Sequence, residues 1–256
     1  AVPGAELVTL GFVGYRRFLI VDETGKFISQ RTFPRMARIH AMLSADNLTL
    51  SADSAGQVTV PRAAQSNALV RSVSVWKSEN LQAEDCGESA ANWLGDFLEM
   101  KCRLVRIGRA FQRPMLKSSA RPGDSVSFAD AFPFLIIGEA SLAALNDRLL
   151  ENHAEPVPMN RFRPSIVVDG CEAFAEDHWP RLQIGDAMFR NGGPCARCIV
   201  TTTDQLTGER LGKEPLRTLA TFRRDTVEPS DVNFGINLIH ETKAGRVQVG
   251  DTVVPL

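Results

Sequence analysis

Residues 17–31, Arg-Phe-Leu-Ile-Val-Asp-Glu-Thr-Gly-Lys-Phe-Ile-Ser-Gln-Arg, indicate how the chain begins to fold. Two short β-prone runs, 17–22 and 26–31, are joined by a segment that reads Glu-Thr-Gly-Lys. Such runs favour strands, and Gly25 can take the positive φ angle that a tight hairpin turn requires. The stretch therefore predicts a β-hairpin near the start of the chain.

Short strand-like runs continue through the rest of the first half. They are residues 37–43, 48–51, 57–61, 68–76 and 102–107, with Ser, Asp, Asn and Gly in the connections. One helix is expected at 89–100, where apolar residues recur at helical spacing and form one face. Many short strands at close spacing are typical of a barrel or a sandwich.

The second half also alternates strand-like runs with short helices. Strands are expected at 132–137, 163–169, 188–190, 197–203 and 246–255, and helices at 140–150 and 214–223. Residues 109–126 are basic and contain prolines, so they predict a solvated linker, with an anion-collecting loop beside a site as the alternative. This order of strands and helices predicts two β-dominated domains packed side by side.

Composition excludes several classes of protein. The chain has 256 residues, of which 44% are hydrophobic and 23% charged, which is typical of a globular protein rather than a disordered one. The 29 basic and 30 acidic residues give a net charge of −1, so no overall basicity attracts nucleic acid or anionic lipid. No apolar run approaches the roughly 20 residues of a membrane-spanning helix.

The five cysteines favour a reducing compartment. An odd number in a chain of this size is not a disulfide framework, and the opening Ala-Val-Pro-Gly carries no signal-peptide pattern. We therefore expect a cytoplasmic protein.

Two of these cysteines form the motif Pro194-Cys-Ala-Arg-Cys198. A structural zinc site needs two more ligands at suitable spacing, and the four histidines do not supply a pair. A redox pair belongs at a helix N-terminus, whereas the following Ile-Val-Thr-Thr-Thr predicts a strand. Two possibilities stay open, namely one thiolate as a soft ligand of a transition metal and a pair that only packs in the interior.

Several stretches in both halves share the pattern of one known family. They are 162–168 (Phe-Arg-Pro-Ser-Ile-Val-Val), 175–179 (Ala-Glu-Asp-His-Trp), 184–186 (Ile-Gly-Asp), 193–204 around the cysteines, 207–208 (Thr-Gly), 213–219 (Lys-Glu-Pro-Leu-Arg-Thr-Leu), 233–237 (Asn-Phe-Gly-Ile-Asn) and 249–251 (Val-Gly-Asp). With these the chain resembles the MOSC domain proteins, relatives of the C-terminal domain of molybdenum-cofactor sulfurase. Upstream, 16–22 and 29–36 resemble the MOSC N-terminal β-barrel domain.

The resemblance implies a fold and a cofactor. We expect a β-rich α+β fold in which an N-terminal β-barrel-like domain (residues 1–108) is joined by the basic segment 109–126 to a MOSC β-barrel domain (127–256) with a few helices. The cofactor is a molybdenum-bearing pterin, molybdopterin, and the resemblance also carries an expectation of pyridoxal phosphate binding. Family members usually begin with a strand ending in a Pro-Val-Lys-Ser-like motif that helps to hold the cofactor phosphate, and we expect that this first strand is missing here through truncation.

The resemblance also assigns roles to individual residues. Cys198 would be the thiolate ligand of molybdenum and the catalytic residue, whereas Cys195 would only pack. Arg16 and Arg163 would lie near the pterin or its phosphate; for Arg16 the alternative is a cap on the barrel edge. Cofactor hydrogen bonds would come from Asp130, Ser165 and Arg197, although Asp130 could instead cap a turn and Ser165 stands where asparagine is common. Tyr15 stands where aspartate is frequent.

Within the family, the pattern is most similar to members that reduce N-hydroxylated compounds. The implied function is the reduction of hydroxylamines, amidoximes or N-hydroxylated bases, with electrons from an external reductase or electron-transfer protein, because the chain has no flavin, haem or iron–sulfur motif of its own. The alternative is a MOSC module that carries the cofactor, or transfers sulfur, without turnover of its own. Glu172 is a candidate proton donor.

Overall fold

The computed structural model describes residues 2–53 and 55–256. Over these residues the strands are β1 Gly4–Val8, β2 Gly11–Phe12, β3 Phe18–Asp22, β4 His40–Leu43, β5 Asn47–Ala52, β6 Gly56–Pro61, β7 Val70–Val75, β8 Ser78–Asp85, β9 Cys102–Ile107, β10 Phe134–Gly138, β11 Ile166–Val168, β12 Arg181–Ile184, β13 Ala187–Ala196, β14 Asn233–His240, β15 Gly245–Gln248 and β16 Val253–Pro255. The α-helices are α1 Glu88–Leu98, α2 Glu139–Glu151 and α3 Leu216–Leu219. Short 3-10 helices cover Pro34–Arg38, Met159–Arg161, Ala175–His178 and Ile199–Thr202. The expected strand-rich fold with few helices is confirmed.

The first half is built from two sheets. One has the order β3-β9-β8-β7 and the other β4-β5-β6, with every neighbouring pair antiparallel. The expected apolar face of α1 covers the second sheet, because Leu94 and Phe97 of the helix share a buried cluster with Leu48 and Leu50 of β5. Val21, Val73 and Val105 form the buried core of the first sheet.

The second half is organised around a six-stranded sheet of order β11-β10-β14-β13-β12-β16. Only the β10–β11 pair is parallel, and α2 lies in the connection between those two strands, as parallel pairs require. Leu145 and Leu149 of α2 are fully buried and pack with Phe162 and Phe234. The loop that follows Phe162 is therefore held against this core.

The start of the chain pairs with the second half. β1 is antiparallel to β15. Phe12 of β2 belongs to the second-half core, where its ring lies edge-on to Phe134 at 4.7 Å between centroids. From β2 the chain crosses to β3 in the first-half sheet, so residues 13–17 lie at the junction of the two halves.

Several sequence expectations differ from the structure. Residues 197–203 are not a strand, because β13 ends at Ala196 and the next residues form a 3-10 helix. The hydroxyls of Thr201 and Thr202 donate to the carbonyls of Cys198 and Ile199 at 3.0 and 2.8 Å, which satisfies the backbone locally and favours the helical turn. The expected helix at 214–223 is shorter, Leu216–Leu219.

The expected hairpin at 17–31 forms only in part. β3 pairs with β9 along its full length, whereas the second run contributes a single antiparallel bridge, between Val21 and Phe27. Beyond that bridge the carbonyls of Gln30 and Arg31 accept hydrogen bonds from Arg210 instead of from a strand. The sequence analysis also missed β1, β2 and β8.

No helix in the described part of the chain is long and apolar enough to span a lipid bilayer.

Candidate functional site

The loop between β2 and β3 places Tyr15 and Arg16 at the junction of the two halves. The ring of Tyr15 packs against the core of the second half, and Arg16 has a left-handed backbone with φ of 53°. This conformation is uncommon for residues other than glycine and is held here by a hydrogen bond from the Phe128 amide to the Arg16 carbonyl, 3.0 Å long. The bond ties the loop to residues just before Asp130.

A second loop, between the 3-10 helix Met159–Arg161 and β11, presents Arg163 and Ser165. Arg163 is also left-handed, with φ of 55°. The Ser165 hydroxyl accepts a hydrogen bond from the Leu135 amide at 2.7 Å, so this loop is fixed to β10. The two arginine-bearing loops are thereby anchored to the backbone at Phe128 and at Leu135.

Arg197 and Cys195 form a connected pair at the end of β13. Arg197 donates from Nη1 to the Cys195 sulfur at 2.9 Å and from Nη2 to the Phe162 carbonyl at 2.7 Å. Its guanidinium carbon lies 5.5 Å from the centre of the Phe162 ring. Burial raises the pKa of the Cys195 thiol, although Arg197 acts in the opposite direction.

Cys198 follows this pair at the N-cap of the 3-10 helix Ile199–Thr202 and is half-buried. The sequence argument against a redox pair assumed a strand after Cys198, and the observed helix removes that argument. The described residues contain no group of three or more Cys, His, Asp or Glu side chains that would hold a metal. Cys198 therefore offers one thiolate rather than a complete set of ligands.

Asp130 is an exposed residue at the end of a buried stretch, 126–129, that Arg113 holds in place. Arg113 is buried and donates to the carbonyls of Ser127 at 2.7 Å, Ala129 at 2.5 Å and Asp130 at 2.9 Å. We expected residues 109–126 to be a solvated linker, but Arg113 is buried within that segment. The sequence reasoning missed Arg113 as a residue that shapes the site, because one buried arginine in a basic segment leaves no pattern.

Electrostatic effects show that these groups lie close together. The charge of Arg16, followed by burial, lowers the pKa of Arg163 to about 10, and Arg197 acts in the same direction. Burial raises the pKa of Tyr15, but Arg16, Arg163 and Ser165 outweigh it and hold the value below the usual range. Burial opposes the charge of Arg16 while Tyr15 and Asp130 favour it, so its pKa is raised.

Charge effects thus place four predicted site residues, Arg16, Asp130, Arg163 and Arg197, near one another. The other two join the group through a neighbour: Ser165 acts on Tyr15, and Cys198 acts on Cys195. Glu172, the candidate proton donor, is exposed, and none of the contacts of the described residues joins it to this group. Tyr15 belongs to the group; the sequence analysis noted it only as a departure from the family.

The cluster has the charge of an anion-binding site. Two buried arginines, Arg106 and Arg190, are paired with the carboxylates of Glu84 and Asp124, and the partly buried Arg223 is paired with Asp177. The buried Arg113 instead donates to three carbonyls and one hydroxyl. Among the described residues, neither Arg16 nor Arg163 has such an ion pair. Arg163 is exposed to solvent, so a ligand can reach it, and the charges of Arg16, Asp130 and Arg197 act on it.

An unpaired hydrogen-bond donor in this cluster also indicates a site that binds an acceptor. The Nε atom of Arg197 is buried without a partner, and an unsatisfied buried donor is costly. A phosphorylated pterin would supply the missing acceptors and negative charge, and the Cys198 sulfur is the soft ligand that molybdenum prefers. The residues present therefore fit the molybdenum cofactor.

Comparisons with known proteins place the chain in a family. Residues 123–254 match the MOSC domain and residues 1–101 match the MOSC N-terminal β-barrel domain. The mitochondrial amidoxime-reducing component 1 of Homo sapiens is 36% identical, over 93% of this chain and 72% of that protein. The same protein of Mus musculus is 36% identical, over 99% of this chain and 76% of that protein. The mitochondrial amidoxime reducing component 2 of Bos taurus is 34% identical, over 99% and 77%.

These matches cover both halves of the chain in the order that the fold displays, and they confirm the resemblance inferred from the sequence. The chain belongs to the MOSC family and combines a MOSC N-terminal β-barrel domain with a MOSC domain.

Proposed function

We propose that this protein is a molybdenum-cofactor oxidoreductase that reduces N-hydroxylated substrates such as hydroxylamines, amidoximes or N-hydroxylated bases. The observation that carries the proposal is a cluster of three arginines, Arg16, Arg163 and Arg197, none of which has a carboxylate ion pair among the described residues, near the half-buried thiol of Cys198. The names of the relatives, amidoxime-reducing components, support the choice of substrate class.

Each side chain has a defined task in this proposal. Arg16 and Arg163 bind the anionic part of the cofactor, and Arg197 uses its free Nε to bind an acceptor on it. Ser165, fixed by the backbone of Leu135, and Asp130, fixed through Arg113, orient the pterin by hydrogen bonds. Cys198 supplies the protein's thiolate ligand.

The bound cofactor supplies two-electron redox chemistry that no amino-acid side chain provides. Reduction of a hydroxylamine to an amine consumes two electrons and two protons and releases one water molecule. The electrons come from an external reductase or electron-transfer protein. The contribution of this chain is to hold the cofactor with the cationic cluster at the junction of its two β-rich halves.

Metal analysis combined with a reductase assay tests the proposal. Protein produced in a molybdate-fed host is expected to contain molybdenum and to reduce an aromatic amidoxime when a chemical reductant is supplied. Cys198→Ser is expected to lose this activity, whereas Cys171→Ser, which changes a half-buried thiol elsewhere, is expected to retain it.

Two outcomes contradict the proposal. Purified protein that contains no molybdenum would rule out the proposed cofactor. Full activity of Cys198→Ser would rule out the proposed role of this thiol. Molybdenum loading without any turnover of amidoximes or hydroxylamines would instead support the alternative of a cofactor carrier.

The cytoplasm remains the proposed compartment, and the five free cysteines fit its reducing conditions. Fractionation of the source cells with an antibody against the chain tests it. Pyridoxal phosphate binding and the domain boundaries stay predictions.

A further inference from the structure

The strand β4 forms the outer edge of the three-stranded sheet β4-β5-β6. Among residues 2–53 and 55–256, β5 is the only strand that pairs with it. The sequence of β4, His-Ala-Met-Leu, contains no lysine, arginine, aspartate, glutamate or proline. Edge strands usually carry charged residues or proline, because these keep other chains from adding a strand to the sheet. β4 therefore lacks the usual protection of a sheet edge.

The side chains of β4 are exposed on both faces of the sheet. Met42 is 68% exposed and Leu43 44% exposed. Because side chains alternate across a strand, Met42 lies on one face, and Ala41 and Leu43 lie on the other. Helix α1 packs with Leu48 and Leu50 of β5 but leaves all of β4 in contact with solvent. A strand added at this edge would remove apolar surface from water.

The hydrogen bonds of the β4–β5 hairpin show which backbone groups face outward. The Ser44 amide donates to the Asn47 carbonyl at 2.9 Å, so these two residues form a hydrogen-bonded pair. Such pairs alternate along an antiparallel ladder, and the next one in β4 therefore contains Met42. The N–H and C=O groups of Ala41 and Leu43 consequently point away from β5, toward the free edge.

We propose that β4 is a self-association edge: the β4 strands of two copies of this chain pair antiparallel around a two-fold axis and join their sheets into one sheet of six strands. Ala41 of each copy then exchanges two hydrogen bonds with Leu43 of the other copy. Met42 faces its own counterpart across the axis, in the non-hydrogen-bonded pair. This assembly is independent of the proposed cofactor and reaction.

Charges on either side of β4 favour a second copy as the partner in this register. Arg38 ends the 3-10 helix before the strand, and Asp46 lies in the turn after it. Neither forms an ion pair among the described residues. Both lie four positions from Met42, so the two-fold axis brings Arg38 of each copy level with Asp46 of the other. The net charge of −1 adds little repulsion between copies.

The size of the contact sets its strength. Each copy contributes one strand of four residues, which is a small contact beside the roughly 1,200 Å² of buried surface at which stable interfaces begin. We therefore expect a reversible dimer with a Kd of about 10–100 μM.

Sedimentation velocity of the purified protein tests the proposal, over about 5 to 500 μM so that the range brackets the expected Kd. The wild-type protein is expected to change from monomer to dimer over this range. Met42→Lys places two positive charges across the axis and is expected to raise the Kd at least about tenfold. The matched control is Val254→Lys, which changes an exposed apolar residue of another edge strand, β16, and is expected to keep the wild-type Kd.

Reversal of single charges tests the register. Arg38→Glu and Asp46→Arg are each expected to weaken self-association, because each variant brings like charges together at both ends of the paired strands. An equimolar mixture of the two variants is expected to form a heterodimer with about the wild-type Kd, because opposite charges then face each other again. Mixing would not repair a structural defect in either variant.

Hydrogen exchange of the Ala41 and Leu43 amides reports on the edge itself, and their exchange is expected to slow as the protein concentration rises. A monomer at every concentration would overturn the inference, as would a dimer that Met42→Lys leaves intact or charge-reversed variants that do not associate on mixing. Slow exchange of both amides at all concentrations would also overturn it, because another segment would then cover the edge.

Discussion

Replacing Arg113 with methionine is expected to destabilise the fold and to displace Asp130. Methionine fills a similar volume but has neither charge nor hydrogen-bond donors. Arg113 donates from Nη1 to the Ser127 and Ala129 carbonyls, from Nη2 to the Asp130 carbonyl, and from Nε to the Ser78 hydroxyl at 3.1 Å. All four acceptors lose their donor in the variant.

The size of the effect follows from two opposing contributions. Four hydrogen bonds from a charged donor contribute about 6 kcal/mol together at the lower end of the usual range. Burial opposes the charge and lowers the pKa of Arg113 from 12.5 to about 10, which corresponds to roughly 3 kcal/mol that methionine does not lose. The difference is a destabilisation of about 3 kcal/mol, or a fall in Tm of about 10 °C for a chain of this length.

Urea and thermal unfolding followed by circular dichroism measure this loss, and Arg109→Met is the matched control. Arg109 lies in the same basic segment but is exposed, so its replacement is expected to change the free energy of unfolding by no more than about 0.5 kcal/mol. Equal stability of Arg113→Met and the wild-type protein would refute the view that Arg113 fastens the segment to the site.

Three further predictions concern buried titratable groups. Burial lowers the pKa of His240 from 6.5 to about 4, so below pH 6.5 the unfolded chain takes up a proton that the folded chain does not. In urea unfolding, this group should therefore lower the free energy of unfolding by up to about 3 kcal/mol as the pH falls from about 6.5 to 4. The His240→Gln variant should lack this part of the loss. Asp124→Asn leaves the buried Arg190 without its carboxylate and is expected to cost about 3–5 kcal/mol in urea unfolding; a loss below about 1 kcal/mol would contradict this. Burial raises the pKa of Cys86 to about 12 and of Cys102 to about 11, so peptide mapping should find both unalkylated by iodoacetamide near pH 8 in the folded protein, and labelling as fast as in urea would contradict their burial.

The elements with strong periodicity could be predicted from the sequence. The apolar residues of α1 recur at helical spacing, and they pack as that spacing predicts because Leu94 and Phe97 meet β5. β9 was predicted from the strand-like run Cys-Arg-Leu-Val-Arg-Ile at 102–107. β1 and β2 were missed because they are short and their partner, β15, lies at the far end of the chain.

Two further errors have a common physical origin: side chains satisfy the hydrogen bonds of the backbone where a strand was predicted. Thr201 and Thr202 favour a strand by their intrinsic preference, yet their hydroxyls close a 3-10 turn after Cys198. The distant Arg210 binds the carbonyls of Gln30 and Arg31 and so replaces the second strand of the expected hairpin. Such contacts leave no periodic pattern in the sequence from which they could be predicted.

The members of the site were predictable only through resemblance to a family. Arg16, Arg163 and Arg197 are far apart in the chain, and none belongs to a local motif that identifies a ligand from spacing alone. The role of Arg113 depends on its burial, which composition does not reveal. The charge surplus of the cluster became visible only when the three-dimensional structure showed which arginines lack a carboxylate.

The most direct test of the central claim is X-ray absorption spectroscopy at the molybdenum edge of the loaded protein. Three preparations are compared: the wild-type protein, Cys198→Ser and Cys195→Ser. The account predicts one sulfur ligand fewer in Cys198→Ser than in the wild-type protein, and an unchanged number in Cys195→Ser. A sulfur count that survives the loss of Cys198, or that falls only with Cys195, would contradict it.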